Sequence, residues 1–301
     1  MTQHIATLVA APGSSPLDPA RVEAARKTLA GAGEARWLDP GMAADIDFNG
    51  PADGWPARHN IADRLRDIFA EDRVDVFVQP AASRRKKLFL ADMDSTMIGQ
   101  ECIDELADFV GKKAHVAEIT ERAMRGEIAF EPALRERVAL LKGLEESIVG
   151  KVIAERITLT PGGETLVKTM RANGAYTALV SGGFTLFTSR IAVMIGFHEN
   201  RANRLVVEAG KFAGLVEEPI LGREAKLATL VELRTAQGLK PEDTMAVGDG
   251  ANDLAMLGEA GLGVAFHAKP AVAAAAHARV DHGDLTALLF AQGYQREEFV
   301  A

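Results

Sequence analysis

Lys86–Thr96 reads KKLFLADMDST, a short apolar run that delivers two acids, Asp92 and Asp94, at its end. A parallel strand buried on both faces is written as such an unbroken apolar run. Three later stretches repeat the form. GAYTALVSGG ends in Ser181-Gly182-Gly183, DTMAVGDG ends in Gly248-Asp249-Gly250, and LGVAF completes the set. Helical patterns separate them: ETLVKTMRANG, REAKLATLVELRTAQG and ANDLAMLGEAG. This alternation predicts a doubly wound α/β sheet, with polar residues gathered at the carboxyl ends of the strands where such sheets bind ligands.

Between the first two of these strands lies a helical stretch, about Ile103 to Arg156, too long for a simple crossover. It is read as an inserted helical cap spanning about 99–157. NRLVVEAGKFAGLVEEPI, from Asn203, alternates around Ala209-Gly210-Lys211 and predicts a hairpin beside the sheet. HARVDHGDLTALLFAQGY predicts a last short strand and a closing helix. Upstream of Lys86 the pattern differs. HIATLVAA reads as a strand, DPARVEAARKTLAGAG as a helix closed by Gly31 and Gly33, and strands follow near Ala35–Leu38 and Ala43–Phe48. A helix over Ala57–Glu71 and a strand at VDVFVQP complete a β-α-β-β-α-β order, that of a ferredoxin-like α+β module. The basic run from Gln79 to Arg85 is read as a solvated linker. The expected organisation is therefore a module over 1–82 and an α/β domain over 83–301 that carries the cap.

Composition narrows the function. Hydrophobic residues at 48% and charged residues at 25% describe an ordinary globular chain. A net charge of -8 argues against a nucleic-acid-binding surface, so an anionic ligand would need local cations or a metal. The single cysteine, Cys102, excludes an intrachain disulfide framework and fits a reducing compartment; beside a helix start it reads as a packed small hydrophobe. No basic, apolar leader and no run of membrane-spanning length is read, which makes a cytoplasmic protein without a membrane partner the expectation. The association state leans to a homodimer.

The acids carry the chemistry. Asp92 and Asp94 repel one another unless a cation or a proton separates them. A hard cation such as Mg²⁺ takes oxygen ligands and binds through carboxylates together with substrate phosphate. Alone, D-x-D at a strand end also fits a cap or a loop. Gly248-Asp249-Gly250-Ala251-Asn252-Asp253 places further acids at the same sheet edge, with glycines that allow close backbone approach, although Asp253 also suits an N-cap. Ser181-Gly182-Gly183 offers a hydroxyl and main-chain N–H groups to phosphate oxygens, and alone is also a common turn. Lys226 is the lone lysine of REAKLATL, a cation where phosphate and carboxylate would meet.

DMDST, SGG, a lone lysine and GDGANDL, in that order, resemble the four motifs of the haloacid-dehalogenase-like phosphatases from about Lys86 to the C-terminus. Within that superfamily the cap, with Glu101, Met124-Arg125-Gly126, Phe130 and Leu134-Arg135-Glu136-Arg137-Val138, is similar to that of the phosphoserine phosphatase family. Many bacterial members also carry an N-terminal ACT-like module. The resemblance implies hydrolysis of O-phosphoserine to serine and phosphate, the last step of serine biosynthesis, through an aspartyl-phosphate. It casts Asp92 as nucleophile and Asp94 as general acid and base. It implies Mg²⁺ held by Asp92, Asp249 and the main-chain carbonyl of Asp94, with Asp253 behind them orienting the ligands or Lys226. Ser181, Gly182, Lys226 and Asn252 would hold the phosphoryl group. Glu101 and Arg137 would hold the amino and carboxylate groups, and Met124 and Phe130 would make apolar contacts. Residue spacing alone leaves Arg135 in competition with Arg137, because residues two apart point to different helix faces. The rival readings are a sister phosphatase or phosphotransferase acting on another phosphomonoester, and an amino-acid-binding regulator.

Overall fold

The computed structural model describes residues 2–51 and 54–301. The chain opens with β1 (Thr2–Ala10), α1 (Pro19–Lys27), β2 (Arg36–Asp39), β3 (Ala43–Gly50), α2 (Trp55–Ile68) and β4 (Val74–Pro80). The strands form an antiparallel sheet in the order β2-β3-β1-β4, covered by α1 and α2 over a core of its own that includes Leu8, Val22, Ile46, Leu65 and Val76. Asp18 caps α1 by accepting from the N–H of Ala20. The helix stops at Thr28 rather than at Gly31, because the Thr28 hydroxyl and N–H both turn back onto Ala25.

Then follow β5 (Leu88–Ala91), α3 (Cys102–Asp108), α4 (Lys113–Met124), α5 (Phe130–Ala139), α6 (Ile148–Glu155), α7 (Gly163–Ala172), β6 (Tyr176–Phe184), α8 (Thr185–Ile195) and β7 (Glu199–Asn203). The chain continues with β8 (Leu205–Glu208), β9 (Lys211–Val216), α9 (Arg223–Ala236), β10 (Thr244–Gly248), α10 (Leu254–Glu259), β11 (Leu262–Phe266), α11 (Pro270–Ala275), β12 (Ala278–Val280) and α12 (Ala287–Ala291). Six parallel strands lie in the order β12-β11-β10-β5-β6-β7. Leu88, Phe89, Leu90 and Ala91 are fully buried, as the unbroken apolar run requires. β5 lies between β10 and β6, so the ends of three neighbouring strands converge on one edge. Helices α3 to α6 form the cap, and β8 with β9 forms the hairpin. β7 was not legible in advance; its polar sequence ENRAN carries no strand pattern.

The solvated linker is a correction. Arg84 is buried and donates to both carboxylate oxygens of Asp45, to Thr7 Oγ1 and to the carbonyls of Phe290 and Ala291. Gln79 donates to Ala291 O, and Asp75 accepts from the N–H groups of Asp281, His282 and Gly283. A buried arginine is tolerated when its guanidinium meets a carboxylate in two places, and Asp45 supplies that partner.

Candidate active site

Asp92 leaves β5 with its N–H still held by Val247 O of β10. Its Oδ1 accepts from Met93 N at 2.8 Å and from Lys226 Nζ at 2.7 Å. The chain then turns sharply through Ser95, whose φ of 56° is unusual for a residue with a side chain. The turn aims Ser95 Oγ at Glu101 Oε1, at 2.6 Å, and sets Asp94 Oδ1 to accept from Cys102 N at 3.2 Å.

From β10, Asp249 accepts from Thr96 Oγ1 at 3.1 Å. Asp253 Oδ2 accepts from the N–H groups of Asp249 and Gly250, and its Oδ1 takes Lys226 Nζ at 2.6 Å. Lys226 is fully buried between two carboxylates. A Cβ on Gly248 would lie 2.4 Å from Asp253 Cγ, so only glycine lets that carboxylate fold back against the strand end. Carboxylate oxygens of Asp92, Asp249 and Asp253 lie within 4.8 Å of one another. Asp253 has partners on both oxygens, whereas the contacts of Asp92 and Asp249 fall on Oδ1 alone.

From β6 the pairing with β7 loses register between Val180 and Phe184, which frees the Ser181–Gly183 backbone. Gly183 N donates to Ser181 Oγ at 2.9 Å. A Cβ on Gly183 would stand 2.9 Å from Asp94 Oδ2, so the acid and the glycine loop approach too closely for a side chain there.

The cap roofs a half-open cavity of about 230 Å³ over these residues. Asp92, Asp94, Glu101, Phe130, Arg137, Ser181, Gly182 and Asn252 all line it. Phe130 starts α5 and lies against Gly182 and Gly222. Arg137 is buried, donating to Thr120 Oγ1 at 2.9 Å and to Ala133 O at 3.1 Å. Arg135 instead pairs with Glu218 on the surface. The side chain of Met124 lies outside the described residues. Sequence reasoning missed Thr96, which holds Asp249, Thr120, which holds Arg137, and Arg223, which lines the cavity from the start of α9. An isolated Thr or Arg carries no spacing signal; only the Arg223 position, three residues before Lys226, could have hinted at it.

Residues 89–258 match the haloacid dehalogenase-like hydrolase family. The chain belongs to that family. A phosphoserine phosphatase of Albidiferax ferrireducens is 46% identical over 218 residues, 71% of this chain and 92% of that one. A substrate-bound phosphoserine phosphatase structure is 42% identical, superposes with a TM-score of 0.65 and covers 68% of this chain and 98% of its own. A HAD family hydrolase from Salmonella enterica serovar Typhi, 27% identical, matches 96% of this chain and 98% of its own with a TM-score of 0.83. That last match extends over the N-terminal sheet as well.

Charge in this hydrolase's site is unbalanced. Burial, then the Asp253 charge, pushes Asp92 up to about 7; burial, then Asp92, pushes Asp94 up to about 7. Burial, then Asp94, raises Glu101 to about 8. Asp249 is raised well above the carboxylate range by burial and by Asp253 and Asp92. Burial opposes the Lys226 charge, but Asp253 and Asp92 outweigh it and raise its pKa. Lys226 is the cation in direct contact with this cluster, and an all-oxygen, carboxylate-rich set fits a hard divalent ion.

A pH dependence follows. An acid whose pKa is raised on folding favours the folded state while protonated, and that advantage is lost as pH climbs through the folded value. Metal-free protein is therefore expected to lose thermal stability from about pH 5, above the unfolded carboxyl range, to about pH 8, where Asp92, Asp94 and Glu101 have ionised in the folded state, with most of the loss below about pH 7. Added Mg²⁺ should restore it at pH 8. Melting curves in chelator and in excess Mg²⁺ check this; a chelated Tm that rises over that window contradicts it.

Proposed function

We infer that this hydrolase removes phosphate from O-phosphoserine. The observation that carries the reading is an acid and a guanidinium in the same cavity as Asp92: Glu101, half-buried and ready to ionise against a substrate ammonium, and Arg137, buried under the cap. Each lies within reach of the other's field. A zwitterion needs such a pair, and a planar guanidinium suits its carboxylate.

Met93 N and Lys226 both bind Asp92 Oδ1, which leaves Oδ2 for attack on phosphorus. The new Asp92–phosphorus bond forms as the bond to the serine oxygen breaks, and Asp94 gives that oxygen its proton. Both carboxyls are raised, but Lys226 touches Asp92 and favours its ionised form, so a proton kept by the pair at neutral pH rests on Asp94 for this step. Asp94, now ionised, then takes a proton from a water that attacks the phosphoryl group and frees Asp92. Ser181, the Gly182 N–H, Lys226 and Asn252 hold the phosphoryl oxygens throughout. Bound Mg²⁺, held by Asp92, Asp249 and the Asp94 carbonyl, would neutralise charge between nucleophile and phosphate. Asp253 keeps Lys226 and the Asp249 loop in place.

The wider reading assigns residues 1–82 to a module with its own core and 83–301 to the catalytic domain with its cap over 99–157. The net charge and the single buried cysteine favour a cytoplasmic enzyme of small-molecule metabolism. Among the described residues no helix is long and apolar enough to cross a membrane. Exposed Val193 and Met194 on α8 are the apolar surface that would favour a homodimer.

Arg137→Ala tests the substrate assignment. Truncating one partner of a buried charge contact costs at least about 2 kcal/mol, so KM for O-phosphoserine should rise roughly 30-fold or more. KM for p-nitrophenyl phosphate, which lacks the carboxylate, should hardly move. Equal effects on both substrates remove Arg137 from recognition of the amino acid.

A further inference from the structure

Asn203 closes β7 and is almost wholly buried, 2% exposed, at a place where two parts of the site meet. Its Nδ2 donates to Gly182 O at 2.8 Å and to Leu221 O at 3.0 Å, while Oδ1 accepts from Leu221 N at 2.6 Å. Both amide hydrogens and the oxygen are used. The reverse orientation of the amide would set NH₂ against N–H and oxygen against two carbonyls, so these partners fix which end is which.

The bond to Gly182 acts beyond itself. Gly182 O belongs to the planar peptide that also carries the Gly183 N–H, so holding the carbonyl holds the N–H. That N–H donates to Ser181 Oγ, which leaves the Ser181 hydroxyl hydrogen to donate to a phosphoryl oxygen. The same loop has lost its ladder register with β7 between Val180 and Phe184, and Asn203 is the residue paired with Phe184 where the register resumes. On its other side, Leu221 precedes Gly222, the residue that opens α9, and Lys226 N bonds back to Gly222 O. Fixing Leu221 through both its N–H and its carbonyl therefore fixes the first turn of the helix that carries Lys226 to Asp92.

We propose that Asn203 is a positioning residue for phosphoryl transfer, a single carboxamide that sets the Ser181–Gly183 loop and the Lys226 helix at their working separation. This rests on the roles given above to Ser181 and Lys226. In those roles both would contact the substrate phosphate, and misplacement by about 1 Å costs on the order of 100-fold in rate.

The test compares wild type with Asn203→Ala and Asn203→Asp. Aspartate keeps the volume and the acceptor but cannot donate to Gly182 or Leu221. Each protein is assayed on O-phosphoserine and on p-nitrophenyl phosphate, with inorganic phosphate as competing product, at a temperature where circular dichroism shows it folded. The expected result is a loss of roughly 10- to 100-fold in kcat/KM on both substrates, the scale seen when buried partners behind a site are removed. Phosphate inhibition should weaken in parallel, and the preference between the two substrates should stay as in wild type. A stability role would leave the folded variants with native phosphate inhibition, and that result overturns the proposal. So does a loss confined to O-phosphoserine, or a failure of both variants to fold. Wild type that cleaves only p-nitrophenyl phosphate would sink the O-phosphoserine reading while leaving the Asn203 comparison intact.

Discussion

Asp92→Asn is expected to abolish phosphate release while leaving the fold intact. The amide oxygen can still accept from Met93 N, and Lys226 keeps Asp253 as a charged partner, so the local hydrogen bonds survive. What disappears is the anionic oxygen that attacks phosphorus. Loss of the nucleophile in a hydrolase that works through a covalent intermediate lowers kcat by at least about 10³-fold. The substitution also removes one of the crowded acids that raise the Asp94 and Asp249 pKa values. Metal-free Asp92→Asn protein should therefore melt no lower than metal-free wild type at pH 8. Phosphate release and melting, measured on one preparation, check both halves. Activity within tenfold of wild type would assign the nucleophile elsewhere.

Lys226→Met should damage stability and activity together. The methionine fills a similar volume but leaves Asp92 and Asp253, each now without its cation, in a fully buried setting. Breaking a buried ion pair by removing one partner costs about 3–5 kcal/mol. Part of that loss can be relieved by protonation, because Asp92 already sits near 7. The destabilisation should therefore be larger at pH 8 than at pH 6. Denaturant unfolding at the two pH values tests this sign. Mg²⁺ should recover some stability at pH 8 but not turnover, since the transferring phosphoryl group has still lost its lysine. A variant that unfolds like wild type at pH 8 would contradict the account of Lys226.

Three of the site residues read from sequence share one property: each follows an apolar run directly. Asp92 and Asp249 directly follow β5 and β10, and Ser181 follows the apolar part of β6, so identifying the strands located the acids and the hydroxyl. Contacts made across long sequence separations left no such trace. Arg135 and Arg137 are indistinguishable on composition, and only packing sends Arg137 inward to Thr120 while Arg135 meets Glu218 outside. Asn203 looked like the opening of a hairpin, because β7 is a polar edge strand without periodicity. Arg84 read as a solvated charge, although Asp45, far back in the chain, had already supplied its buried partner. The end of α1 shows a local competition of the same kind, with the Thr28 hydroxyl closing the helix before the glycines do.

Phosphate release from O-phosphoserine, followed with the purified chain in Mg²⁺ and again after chelation, tests the central claim most directly. The account predicts turnover with Mg²⁺, near-complete loss on chelation, recovery when Mg²⁺ is returned, and none of these in Asp92→Asn. No release from O-phosphoserine under conditions where p-nitrophenyl phosphate is cleaved, or release unaffected by chelation, would contradict it.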